Sequence, residues 1–141
     1  MIMRNKKIEI SNTSVQISTK TQYLEEESSP ENHRFLWSYE ITIVNQGEEV
    51  LQLLNRYWHI TDMRGKIEEV RGPGVVGLQP IIKPGKQFAY SSFCQLTTPQ
   101  GTMAGQYEMQ NLEEAKFMVE IPKFALTCPT SSTSHFRSKL H

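Results

Sequence analysis

The sequence predicts an all-β protein folded as an antiparallel β-sandwich, and three observations carry that prediction. Apolar residues recur with a period of two along most of the chain. Clusters of Gly, Pro, Asn and Asp interrupt these runs at short intervals. Between them no stretch long enough for a helix shows a clean 3.6-residue period, and strands at such spacing without helices pack sheet on sheet.

The elements follow in order. In TSVQISTKTQY, Val15, Ile17 and Tyr23 share one face with Thr19 and Thr21 between them, and β-branched Thr suits a pleated surface. Leu24 to Arg34 reads as a long polar loop holding the acidic run Glu25-Glu26-Glu27. RFLWSYEITIV gives the firmest strand: Phe35, Trp37, Tyr39, Ile41 and Ile43 fall on one face, Ser38, Glu40 and Thr42 on the other. EVLQLLNRYWHIT is apolar on both faces, with Leu54, Trp58 and Ile60 opposite Leu51, Leu53 and Tyr57, which predicts a central strand covered on two sides. Further strands are expected at 66–71, 78–82, 87–93, 102–110 and 116–121. Turns are expected at Asn45-Gln46-Gly47, Asp62 to Gly65, Lys83 to Lys86 and Pro99 to Gly101. The sandwich is expected to occupy 1–126, and 127–141, poor in apolar residues, to form a flexible tail.

Length and charge restrict the function classes. A chain of 141 residues is one domain long, enough to bury a core without metal or disulfide. Lys plus Arg equals Asp plus Glu at 15 each, so no net field gathers polyanions, and no nucleic-acid partner is expected. The early residues MIMRNKKIEI are charged and nothing approaches a membrane span, which predicts a cytoplasmic protein without a membrane partner. Cys94 and Cys128 lack metal-ligand spacing and read as free thiols in a reducing compartment.

One motif invites a nucleotide. Gly72-x-Gly74-x-x-Gly77 has the spacing of a dinucleotide fingerprint, which works when the glycines end a strand and open a helix whose N–H groups face a pyrophosphate. Pro80 and Pro84 leave no room for that helix, and Pro73 removes a donor from the loop itself. A count of about 20 residues onward meets Thr97 and Thr98 instead of the ribose-binding acid. No Gly-Lys-Ser/Thr follows either, so nucleotide binding is not expected and the glycines serve an irregular connection between strands. A nest of backbone N–H groups beside Arg71 is the remaining anion-binding alternative.

Individual side chains point mainly to structure. His59, with Asp62 and Glu68 nearby, falls short of the converging ligands a transition metal needs, since His33, His135 and His141 lie in the polar loop and tail. No metal or other cofactor is expected. Asp62 opens a turn closed by Gly65, its carboxylate reaching backbone two residues on. Ser91, Ser92 and Cys94 stand in no nucleophile elbow, so no enzyme is expected. Arg56, on a face with Trp58 and Leu54, needs a carboxylate or carbonyl partner, and a loop-bracing hydrogen bond is preferred over a direct binding role.

Arg56, Trp58, Thr61-Asp62, the Gly72–Gly77 loop, Gln79-Pro80, Pro84-Gly85 and Ile121-Pro122, set in LQLLNRYWHITDMRGKIEEVRGPGVVGLQPIIKPGKQFAYSS, GTMAGQYEM and FMVEIPKFAL, resemble the ApaG family over about residues 10–127. The resemblance implies a fibronectin type III or immunoglobulin-like sandwich. Related domains attached to eukaryotic F-box and polymerase-interacting proteins are usually given an interaction role. It also implies an ion-homeostasis association with cobalt resistance and magnesium efflux, with no established biochemical activity. The chain departs from the family pattern at Tyr57, where His is commoner, at His59 and at Phe93-Cys94-Gln95.

The leading expectation is a non-enzymatic module for an unidentified protein partner, with oligomeric state left open. The alternative is a small-anion or divalent-metal-linked regulator using the glycine loop. Counting antiparallel strands puts the glycine loop at one end with the 45–49 and 94–101 connections, opposite the 62–65 and 84–85 turns. That end would gather Arg71, Gly72, Gly74, Val75, Val76, Gly77, Thr97 and Thr98 as a recognition surface.

Overall fold

A computed structural model describes residues 14–130. Among these described residues nine strands follow in chain order: β1 Val15–Tyr23, β2 Phe35–Asn45, β3 Leu51–Asp62, β4 Ile67–Pro73, β5 Ile81–Ile82, β6 Gln87–Leu96, β7 Gln100–Gln110, β8 Lys116–Thr127 and β9 Pro129–Thr130. The polar loop before β2 contains one short 3₁₀ turn, Pro30–Asn32. One sheet has the order β1-β2-β6; the other runs β4-β3-β7-β8, with β5 also pairing β3, and the pairings are antiparallel.

β2 alternates buried and half-buried along its whole length, as its period-two sequence requires, and Trp37, Ile41 and Ile43 are fully enclosed. Facing them from the second sheet are Leu53, Trp58, Tyr107, Met109 and Ile121. Tyr39 meets Trp58 edge to face with ring centroids 5.5 Å apart, and Phe124 closes on both rings. Gly105 exists for packing, because a Cβ there would collide with the Tyr57 carbonyl and crowd Trp58.

β3 is central but not covered on two sides. Its register against β7 slips between Leu53 and Asn55, so Leu54 is an extra residue that inverts the alternation. Leu51 and Leu53 face the core before this bulge; Trp58 and Ile60 face it after. Buried residues of both sequence parities thus serve a single face, while Tyr57 lies on the other. β8 does the same: Ile121 pairs Gly105, but Phe124 pairs Met103, leaving Pro122, which has no N–H to donate, in a bulge.

The end-to-end count of turns is also corrected. β4 and β5 are both antiparallel to β3, so they run in the same direction and residues 74–80 make a sideways excursion, not a reversal. The 84–86 turn then lies beside the end of β2, with the Gly85 N–H donating to the Asn45 carbonyl at 2.8 Å. The 97–99 turn lies instead beside 62–65, where the Met63 N–H donates to Thr98 Oγ1 at 3.2 Å. At the C-terminal side, order extends past residue 126: Thr127 ends β8, its carbonyl accepts from Trp37 Nε1 at 3.0 Å, and Cys128 packs on the core. The rest of the expected tail, 131–141, lies outside the described residues.

Candidate functional site

The glycine loop is built on the β3 bulge. The extra residue turns the Leu54 carbonyl out of the β7 ladder, and two donors take it: the Gly74 N–H at 2.8 Å and Gln79 Nε2 at 2.9 Å. The Leu53 N–H donates to the Pro80 carbonyl at 3.0 Å, and Gln52 Nε2 to the Gln79 carbonyl at 3.1 Å. Arg56 Nη1 donates to the carbonyls of Pro73 and Gly74, 3.0 Å each. Its guanidinium lies against Gly72, where a Cβ would come 3.1 Å from Nη1 and Nη2. Arg56, Gly72, Gly74, Gln79 and Pro80, scattered through the sequence motif, are thus one hydrogen-bonded bracket. Charge-assisted bonds to carbonyls are the stronger kind, and they leave the loop little freedom.

Inside the bracket the chain turns in two residues. Val75 and Leu78 exchange N–H and carbonyl groups at 2.8 and 2.9 Å, and between them Val76 has φ 41° and Gly77 φ 81°. Positive φ at both central positions defines a type I′ hairpin turn, which favours Asn-Gly. A β-branched residue there is strained by about 1–3 kcal/mol. Val75 is fully buried and pins the loop to the core, whereas Val76 and Leu78 are 54% and 53% exposed. Gly74, at φ 62°, has a second restriction: a Cβ would fall on the Leu78 carbonyl oxygen. Gly77 has open space around it. The Gly74, Val75 and Leu78 N–H groups are engaged within the fold, and Pro73 has none.

Beside the loop, the outer face of the larger sheet carries a cleft of about 450 Å³ bordered by Asn55, Tyr57, Arg71, Pro73, Glu108 and Met118. Arg71 stacks on the Tyr57 ring 4.5 Å from its centroid, while the Tyr57 hydroxyl donates to Glu69 Oε2 at 3.0 Å. Arg71 also lies 3.8 Å from Glu69, so its charge is partly answered.

The eight residues expected to share one recognition surface do not all meet. Arg71, Gly72, Gly74, Val75, Val76 and Gly77 lie together on the β4–β5 edge; Thr97 and Thr98 lie at the other end. Thr98 is buried, donating to the Gln100 carbonyl at 2.8 Å while accepting from Met63, and Val75 is also buried, so neither presents a side chain to a partner. Thr61 pairs Thr102, and Asp62 Oδ1 accepts from the Arg64 and Lys66 N–H groups at 2.8 and 2.9 Å, closing its own turn as expected. His59 stands half-buried beside Ala104, and no group of three candidate metal ligands occurs among the described residues.

Sequence reasoning missed a buried polar pair. Tyr90 on β6 and Tyr107 on β7 join hydroxyls across the two sheets, and burial, first of all, pushes both phenols above their usual range. A period-two pattern places these residues inward but cannot show that they meet. Burial pushes the Cys94 thiol up to about 11, leaving it un-ionised near neutrality.

The ApaG domain model matches residues 25–111. The chain is 51% identical over 115 residues to a Protein ApaG from Brucella anthropi, covering 82% of this chain and 88% of that protein. It is 50% identical to a Protein ApaG from Mesorhizobium japonicum over the same shares. A crystal structure described as an ApaA protein from Bordetella pertussis superposes with a TM-score of 0.80 at 39% identity, covering 82% of this chain and 94% of that one. No described helix is long and apolar enough to cross a membrane.

Proposed function

This chain belongs to the ApaG domain family, and from that premise we propose that it is a non-enzymatic protein-interaction module, working in the cytoplasm, whose docking surface is the glycine-loop edge. The supporting observation is the pairing of exposure with rigidity. Val76, Leu78 and Ile81 are 54%, 53% and 62% exposed on backbone fixed by Arg56, Gln79 and the bulge carbonyl of Leu54. Apolar groups held in place lose little freedom on binding, so their burial goes into affinity. Ile81 also borders a small cleft with Leu112, which is 78% exposed, and this widens the apolar surface beyond the loop. The strained Val at position 76, where Asn would sit more easily, fits a side chain that serves contact.

The experiment replaces Val76 and Ile81 together by Asp, a residue that tolerates positive φ. The double variant should lose the partners captured by the parent protein from its native cell while melting within a few degrees of it. Unchanged capture by the folded variant removes this edge from consideration. In parallel, the parent's melting temperature is followed with nucleotides, pyrophosphate, magnesium and cobalt. A saturable rise with any of them, lost in a glycine-loop variant, would establish the ion-linked reading in place of the interaction one.

A further inference from the structure

We propose that β6 is a second docking site, which takes an extended segment of a partner polypeptide as an added strand, with a basic side chain of that segment over Glu68. The four sheet edges are not alike. β4 is short and carries Glu68, Glu69, Arg71 and Pro73; β8 carries Lys116, Glu120, Lys123 and the Pro122 bulge; β1 carries Lys20. Charges, prolines and bulges are the devices by which an edge refuses further pairing. β6, QFAYSSFCQL, has none of them: its ten residues include no charge, Pro or Gly, its register against β2 is unbroken, and Phe93 is 66% exposed. Its side away from β2 has no strand beside it among the described residues.

The space next to β6 has a floor. The smaller sheet has three strands on its path and the larger four, and β1 packs against β8, so at the other side β4 projects beyond β6. Val70 pairs Trp58 and Glu68 pairs Ile60, so these β4 residues share the core-facing side of the larger sheet, directed toward the vacant strand position. A cleft of about 80 Å³ between Glu68, Ile60 and Lys66 on one wall and Gln95, Leu96 and Thr97 on the other marks that opening. Glu68 lies near enough to Cys94 to act on its thiol, and it has no ion-pair partner among the described residues. Residues directly opposite on neighbouring strands share a face. The added-strand residue opposite Cys94 therefore faces Glu68, which selects Lys or Arg, and the residue two positions away toward Ser92 lies over half-buried Val70 and is apolar. A second copy of this chain fits poorly: antiparallel two-fold pairing through β6 sets both larger sheets on the same side, where the projecting β4 of one would occupy the place of the other's β3.

The test is a selection of random linear 12-residue peptides displayed on phage against the parent protein and against Glu68→Lys. Recovered peptides are then titrated with the purified proteins and mapped by amide hydrogen exchange. The parent should enrich β-prone segments with one Lys or Arg and protect amides of 87–96. Glu68→Lys should bind those peptides at least tenfold more weakly and recover affinity when their basic residue is changed to Glu. Equal affinity for parent and variant overturns the inference, as does failure to enrich peptides or self-association that protects β6 without peptide. Peptides that protect 74–82 instead would also overturn it, while leaving the glycine-loop reading intact.

Discussion

Two turns on the same β3–β4 edge are held in opposite ways. The 62–66 turn is closed by its own first residue, Asp62, whose carboxylate accepts from Arg64 and Lys66. The 74–80 excursion takes its fixing groups from elsewhere: the Arg56 guanidinium 17 and 18 residues back, and the Leu54 carbonyl freed by a bulge. The first turn is closed within a pentapeptide, with one outside bond from the Met63 N–H to Thr98 Oγ1, and the second exists only once β3, β4 and β7 have paired. A locally closed turn survives loss of its neighbours; a bracketed loop fails when any one bracket is removed.

The largest test of that contrast is Gly74→Ala. The new Cβ meets the Leu78 carbonyl oxygen and needs a left-handed backbone, so backbone has to move and the hairpin exchange with Val75 breaks. Destabilisation by about 3 kcal/mol or more is expected, read as a denaturation midpoint shift at constant slope. A loss below about 1 kcal/mol would mean that the loop is not bracketed as described.

Arg56→Ala comes next. It removes a charged donor from two carbonyls and leaves them with fewer partners, an expected cost of about 2–3 kcal/mol. Hydrogen exchange should show residues 72–79 opening well before the 62–66 turn. Equal loss of protection in both turns would break the comparison.

Asp62→Ala should cost about 1–2 kcal/mol, since the two N–H groups it serves can turn to water at this exposed site. Asp62→Asn keeps an accepting oxygen and should restore most of the loss. A cost that spreads to glycine-loop amides would show that the two turns are coupled after all.

Gly77→Ala is the smallest expected effect. Nothing lies within 4 Å of its added Cβ, so only the φ of 81° opposes substitution, at about 1 kcal/mol. Its contrast with Gly74→Ala separates a glycine needed for its backbone angle from one also needed for space.

The sequence by itself determined the class of fold, the strand faces of β1 and β2, the closure of the Asp62 turn and the shielding of Trp37 and Trp58. Each depends on a period-two pattern or on contacts within a few residues, which a linear reading can follow. It also excluded a dinucleotide fold at the glycine motif, because Pro80 and Pro84 forbid the helix wherever the loop lies. Only the tertiary structure decided that Leu54 is a bulge, that Arg56 holds the loop carbonyls and that Tyr90 meets Tyr107. It also decided that Thr97 and Thr98 lie with the 62–65 turn. A single unpaired residue inverts side-chain parity from that point on, and a sideways excursion between β4 and β5 cancels a reversal in the strand count. Neither changes local composition, so both become visible only when the register of one strand is fixed against another.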